Sequence, residues 1–133
     1  MDPRDFFSIA ERMCSSTIEA ERRTSIGRSY YGLFHVLLAA LSDRGVIFRE
    51  IPQDHQMLIS YLLKGGNKTA ASVGAVLKDL RQERNRADYR LKEICVTKSS
   101  QFIYQKATKA LGQFESLSEG EMTTLVENIQ GLP

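Results

Sequence analysis

The chain has 133 residues, of which 42% are hydrophobic and 26% charged, and its formal net charge is +2. This length and balance are typical of one folded globular domain, so collagen-like, disordered and disulfide-stapled classes are excluded. The longest apolar run, residues 36–41, is far shorter than the roughly 20 residues that a membrane span needs. With no apolar segment after Met1 to indicate a signal peptide, we expect a cytoplasmic protein, not associated with a membrane, with one domain over residues 1–133.

Helical spacing of apolar residues recurs along the chain, and no segment alternates strictly between apolar and polar residues. We therefore predict an all-α fold, a compact bundle of five or six helices. The first helix is predicted over residues 3–14, with Asp2 as its N-cap. The second and longest helix is predicted from a capping box, Ser16 and Glu19, to about Arg44.

The third helix is predicted to begin at Pro52. The next three are predicted to have Thr69, Thr97 and Ser118 as their caps, the last with Glu121 in a second capping box. The turn at residues 65–69 looks superficially like the end of a phosphate-binding loop. It lacks the first glycine and the preceding strand of that motif, so it is interpreted as a turn between helices.

One charged residue, Arg84, continues the apolar stripe of the fourth helix. A guanidinium in line with core residues is costly unless it finds a partner or reaches water. Asp88, one turn further on, can neutralise it, which is the structural interpretation. The functional interpretation is a cation held open for a phosphate, with Asn85 as an added donor. An excess of three positive charges over residues 78–92 suits a phosphate-bearing partner, although a solvated helix face has the same composition.

The histidines and cysteines do not indicate a metal site or a cofactor. Tyr31 and His35 are one turn apart on the second helix and share a face. The other histidine, His55, has one acidic neighbour and no second-ligand spacing. Cys14 and Cys95 are too far apart for a CxxC motif. We therefore expect no bound metal and no cofactor.

Two segments together resemble the HEPN family, the higher eukaryote and prokaryote nucleotide-binding domains. Residues 28–35 (RSYYGLFH) are similar to the family's Tyr-Tyr-small-x-Phe-His pattern. Residues 80–89 (LRQERNRADY) are similar to its Arg-Asn-x-Ala-Asp-Tyr segment. His55 also falls where many members carry a histidine at the start of the next helix. The resemblance covers about residues 5–117 and agrees with the predicted order of helices.

The resemblance implies a HEPN-like helical bundle that forms a homodimer, with the Arg-polar motifs of two copies near one composite groove. It implies a ligand, nucleotide or RNA phosphate, with these binding residues: Arg28, Tyr31, Arg81, Arg84 and Asp88. It also implies a nucleotidyltransferase or effector protein as a partner, or a role as a toxin or defence protein. The apolar residues on more than one face of the second helix agree with dimerisation.

The sequence departs from the ribonuclease members of the family at one position. Those members carry a histidine about four to six residues beyond the arginine of the motif, a slot that here spans Tyr89, Arg90 and Leu91. Cleavage of RNA through its 2′-hydroxyl needs a base with a near-neutral pKa and a cation for the developing charge. Arg84 can supply the cation, but a tyrosine with a reference pKa of about 10 is a poor base.

Three functions stay open at this point. The first is a phosphate-binding module without strong catalytic activity. The second is a metal-independent ribonuclease with Arg84, Asn85 and Tyr89 as catalytic candidates, in which His35 or His55 replaces the missing base if the fold brings one near Arg84. The third is a structural dimerisation module without a ligand, in which Arg84 and Asp88 form an ion pair at the dimer interface.

Overall fold

A computed structural model describes all residues, 1–133, and its fold is all-helical, as predicted. The six helices are α1 (Asp5–Met13), α2 (Glu19–Ser42), α3 (Gln53–Lys64), α4 (Lys68–Tyr89), α5 (Thr97–Glu115) and α6 (Glu119–Gln130). None of them combines the length and the apolarity that crossing a membrane requires. α1 begins two residues later than predicted, with Arg4 rather than Asp2 at its N-cap.

The longest helix, α2, lies at the centre of the bundle and packs against α1, α4 and α5. α3 packs along α4, and α6 contacts α3. One core cluster of 27 buried residues includes side chains from all six helices. The second apolar face of α2 also packs inside the chain, because Val36 is buried and Leu38 lies against the core. Packing within a single chain therefore accounts for the apolar residues on more than one face of α2.

Two glycines allow neighbouring helices to approach closely. A Cβ at Gly74 in α4 would lie 2.9 Å from the Cβ of Leu62 in α3. A Cβ at Gly32 in α2 would lie 3.0 Å from the ring of Phe7 in α1. Since real Cβ contacts are almost never this short, both crossings depend on the missing side chain. The Gly32 crossing brings α1 close to the aromatic part of α2, and the Gly74 crossing brings α3 close to α4.

The capping box predicted for α2 is wrong. The Ser16 hydroxyl accepts a hydrogen bond from the Ile18 N–H and donates one to the Glu21 carboxylate. Glu19 instead accepts a 2.8 Å hydrogen bond from the main-chain N–H of Cys95. The carboxylate thus binds the segment between α4 and α5 rather than its own helix start.

Of the other predicted helix caps, only that of α6 agrees with the structure. α4 is capped by Asn67 rather than Thr69, because the Asn67 side chain accepts a 2.9 Å hydrogen bond from the Ala70 N–H. The cap predicted for α5 is wrong: Thr97 is the first residue of the helix, Val96 is at the N-cap, and no side chain caps the helix. The capping box of α6 is confirmed, since Ser118 and Glu121 each accept a hydrogen bond from the other's main-chain N–H.

Arg23, near the start of α2, binds the C-terminal end of α4. Its guanidinium donates hydrogen bonds to the carbonyl oxygens of Ala87 at 2.8 Å, of Arg90 at 3.4 Å and of Glu93. It also forms an ion pair with Glu19 one turn away. The last carbonyls of a helix have no partner within the helix, so Arg23 acts as a cap supplied by another helix.

Candidate functional site

An aromatic cluster lies between α1, α2 and α3. We define it by six rings: Phe6, Tyr30, Tyr31, Phe34, His35 and His55. Centroid distances between contacting rings range from 4.0 Å to 6.3 Å. Four of the rings come from adjacent turns of α2, where residues three or four apart share a face.

Tyr31 joins the aromatic cluster to two basic side chains. The Arg28 guanidinium lies 5.1 Å from the centre of the Tyr31 ring, and the Arg84 guanidinium lies 5.2 Å from it. Arg28 also lies 5.2 Å from the centre of the Phe6 ring. All three distances are within the range of cation–π attraction. The fold therefore brings together three of the predicted binding residues from two distant segments.

Arg84 is neutralised within its own helix. Its Nε lies 3.0 Å from Oδ2 of Asp88, and its Nη1 donates a 3.1 Å hydrogen bond to Oδ1 of Asn85. The Nε is buried, and its contact with Asp88 is an ion pair without hydrogen-bond alignment. The pairing predicted from the helical spacing is confirmed. Arg84 is thus a partly exposed cation that a ligand would share with Asp88.

Arg28 and Arg81 have no carboxylate partner in the chain. Arg28 contacts aromatic rings, and Arg81 donates a 3.4 Å hydrogen bond to the neutral side chain of Gln56. Both residues are partly exposed. Their positive charge is therefore available to an anionic ligand to a greater extent than that of Arg84.

Two further arginines of the basic segment are neutralised by nearby carboxylates. Arg86 pairs with Glu83 and Glu93, and Arg90 pairs with Glu93. Tyr89, a predicted catalytic candidate, is 73% exposed, stacks on no ring and makes no side-chain hydrogen bond. The unpaired guanidinium of Arg28 thus lies against the aromatic cluster, whereas Tyr89 lies outside it.

His55 enters the aromatic cluster from the first turn of α3. Its imidazole is stacked on Phe34, with 4.0 Å between centroids and 10° between planes. Its Nδ1 lies 2.5 Å from the hydroxyl of Tyr30, a hydrogen-bond contact. The same Tyr31 ring that carries the Arg84 guanidinium lies 6.3 Å from the His55 ring. His55 and Arg84 thus contact the same aromatic ring.

His35 lies on the outer side of α2, stacked on Phe6 at 5.9 Å and on Tyr31 at 6.2 Å between centroids. Neither of its ring nitrogens makes a hydrogen bond within the chain, and it is partly exposed. The sequence predicted the shared face with Tyr31. It contained no signal for Phe6, because that contact depends on how α1 crosses α2.

Both imidazoles are shifted towards the neutral form. Burial lowers the pKa of His55, and the positive charges of Arg81 and Arg84 lower this pKa further. Burial also lowers the pKa of His35, with an added contribution from Arg28. Since an ordinary histidine pKa is about 6.5, both side chains are neutral at pH 7. No three metal-ligating side chains lie together in the chain.

No protein-family model, no curated protein and no solved structure matches this chain. The resemblance to the HEPN family therefore rests on the two sequence segments alone. One segment lies on α2 and the other on α4. They meet where the Arg84 guanidinium lies over the Tyr31 ring.

Proposed function

We propose that this protein is a HEPN-type module that binds the phosphate of a nucleotide or of RNA at the aromatic cluster. The observation that carries the proposal is a pair of guanidiniums without a carboxylate partner: Arg28 lies over the partly exposed ring of Tyr31, and the positive charge of Arg81 acts on His55. A guanidinium fork matches the geometry of phosphate oxygens. Aromatic rings accept a stacked base of any sequence. A nucleotide offers both groups at once.

A titration of labelled single-stranded RNA, followed by fluorescence anisotropy at several salt concentrations, tests this proposal. Arg28→Ala or Arg81→Ala is expected to weaken binding about tenfold, the loss of one charge-assisted contact of about 1.5 kcal/mol. Each is also expected to reduce the salt slope by about 0.7 for a single strand. Arg86→Ala is the matched control, because Arg86 is paired with Glu83 and Glu93. Equal losses in all three variants, or no binding by the wild type, would contradict the proposal.

Asp88 separates this proposal from a purely structural role of the Arg84 pair. If Arg84 contributes to phosphate binding, Asp88→Asn frees its charge, and we expect tighter RNA binding with a steeper salt dependence. If the pair only stabilises the helix end, the same variant leaves RNA affinity unchanged and lowers the denaturation midpoint. Measuring both quantities on one preparation distinguishes the two roles.

A metal-independent ribonuclease is the second candidate function. It is favoured by the two neutral histidines of the aromatic cluster, since each offers a base in place of the missing motif histidine. Arg84 lies over the Tyr31 ring of the same cluster. In this reaction the imidazole removes the 2′-hydroxyl proton, the 2′-oxygen attacks the phosphorus, and the guanidinium stabilises the charged phosphorane. The P–O5′ bond then breaks, and the leaving 5′-oxygen takes the proton back from the imidazolium, which leaves a 2′,3′-cyclic phosphate. Incubation with RNA and a chelator tests it, with Arg84→Ala and Tyr89→Phe as variants. Cleavage that only Arg84→Ala abolishes would support the ribonuclease.

The resemblance also supports a homodimer and a nucleotidyltransferase or effector partner. In a homodimer, the aromatic clusters of two copies would lie near one groove. Light scattering of the purified chain, with and without RNA, measures its mass directly. A monomer under both conditions would remove dimerisation from the proposal and leave phosphate binding to be judged by the titration.

A further inference from the structure

The contact between Tyr30 and His55 determines which imidazole nitrogen a ligand meets. We infer that Tyr30 holds neutral His55 with its proton on Nε2, so that His55 donates a hydrogen bond to a phosphoryl oxygen of the ligand. The ligand part of this inference rests on the proposed function. The position of the proton is a property of the protein by itself.

The two nitrogens of His55 have different surroundings. Nδ1 lies 2.5 Å from the hydroxyl of Tyr30, a side chain that is only 1% exposed. The stacked ring of Phe34 fixes the plane of the imidazole. Nε2 makes no hydrogen bond within the chain and is not among the buried atoms without a partner, so it is accessible to solvent. Nδ1 is therefore occupied by a hydrogen bond within the chain, and Nε2 is free to bind a ligand.

The Tyr30 hydroxyl is the donor in this contact. A neutral imidazole carries one proton, so Nδ1 is either an acceptor or a donor, depending on the tautomer. A phenol O–H is a stronger donor than a neutral imidazole N–H, and an unprotonated imidazole nitrogen is a strong acceptor. Burial raises the pKa of Tyr30 above its ordinary value, so the hydroxyl keeps its proton. With Tyr30 donating to Nδ1, the imidazole proton lies on Nε2.

This arrangement makes His55 a donor and a poor base at neutral pH. Nε2 already carries a proton, and Nδ1 can accept one only if the Tyr30 hydroxyl turns from donor to acceptor. Burial disfavours protonation of the His55 ring, and so does positive charge on Arg81, Arg84 and His35. The carboxylate of Asp54 favours it. A phosphoryl oxygen bound here would meet donors from α3 and α4. The geometry thus favours binding over RNA cleavage by His55.

Nitrogen NMR of the uniformly labelled full chain tests the proton position directly. Long-range ¹H–¹⁵N correlations distinguish a protonated Nε2 from a protonated Nδ1 without any ligand. We expect the wild type to show the Nε2–H pattern for His55. Tyr30→Phe keeps the buried ring and removes the donor, so we expect a mixture of both tautomers. An Nδ1–H pattern in the wild type would overturn the inference, whether or not the variant folds.

Titrations with inorganic phosphate and with a short single-stranded RNA test the ligand part. We expect both to shift the Nε2–H resonance of His55, and RNA to shift the aromatic cluster as well. His55→Ala is expected to weaken binding about tenfold, and His55→Gln, which keeps a side-chain N–H donor, to restore part of it. A response to phosphate but not to RNA would identify a free anion as the ligand and exclude RNA as the ligand.

The two possible failures are distinguishable. An Nε2–H tautomer that responds to neither titrant would contradict the proposed function and leave the role of Tyr30 intact. An Nδ1–H tautomer in a chain that binds RNA would contradict the role of Tyr30 and leave the proposed function intact.

Discussion

Removing the Arg23 guanidinium is expected to destabilise the protein much more than removing a guanidinium that is paired only at the surface. The perturbation is Arg23→Met, which keeps an unbranched apolar stem and removes the hydrogen-bond donors. Arg23 is 11% exposed, and it binds three carbonyl oxygens at and beyond the end of α4. A positive charge at this position also complements the negative end of the helix dipole.

The size of the effect follows from what each carbonyl would do without Arg23. Ala87 is buried, so its carbonyl is left without a partner, which costs about 1–3 kcal/mol. Arg90 and Glu93 are exposed, and water can hydrate their carbonyls. The ion pair with the partly exposed Glu19 adds little. We therefore expect the free energy of unfolding to fall by roughly 2–3 kcal/mol.

Urea denaturation followed by circular dichroism measures this difference, provided that the slope with denaturant stays constant. Arg86→Met is the matched control, because its guanidinium is 51% exposed and pairs with carboxylates rather than buried carbonyls. We expect little change for this control. Equal effects of the two variants, or a loss below about 0.5 kcal/mol for Arg23→Met, would refute the interpretation of Arg23 as the cap of α4.

The remaining predictions concern helix packing and pH. Gly74→Ala is expected to lower the free energy of unfolding by about 1–3 kcal/mol, because the new methyl group meets the Cβ of Leu62. Gly112→Ala, in open space on α5, is expected to raise it by about 0.5–1 kcal/mol in the same denaturation assay. A loss in both glycine variants would point to a general helix effect rather than to packing. The pKa values of His35 and His55 are lower in the folded chain than in the unfolded chain. As the pH falls, the unfolded chain therefore binds protons at these histidines before the folded chain does. The free energy of unfolding is expected to fall as the pH drops below the ordinary histidine pKa of about 6.5. Denaturation at pH 7.5, 6.5 and 5.5 measures this slope, and a variant with both histidines changed to glutamine should lose it.

Two interactions within one or two turns of a helix were predicted correctly from the sequence. The Ser118–Glu121 capping box and the Arg84–Asp88 pair both follow from residue spacing, because the helix itself places the partners within reach. The order of the six helices follows in the same way from the repeating apolar stripes. These features needed no knowledge of how the helices pack.

Interactions between helices were decided by the tertiary structure. Glu19 binds Cys95 instead of Ser16, because the segment between α4 and α5 packs against the start of α2. The Tyr30–His55 contact likewise depends on the crossing of α2 and α3. Helical periodicity states which residues share a face, but not which face of another helix lies opposite. Which faces pack together is determined by steric fit, such as the absence of a side chain at Gly74, and by the burial of apolar surface over the whole core.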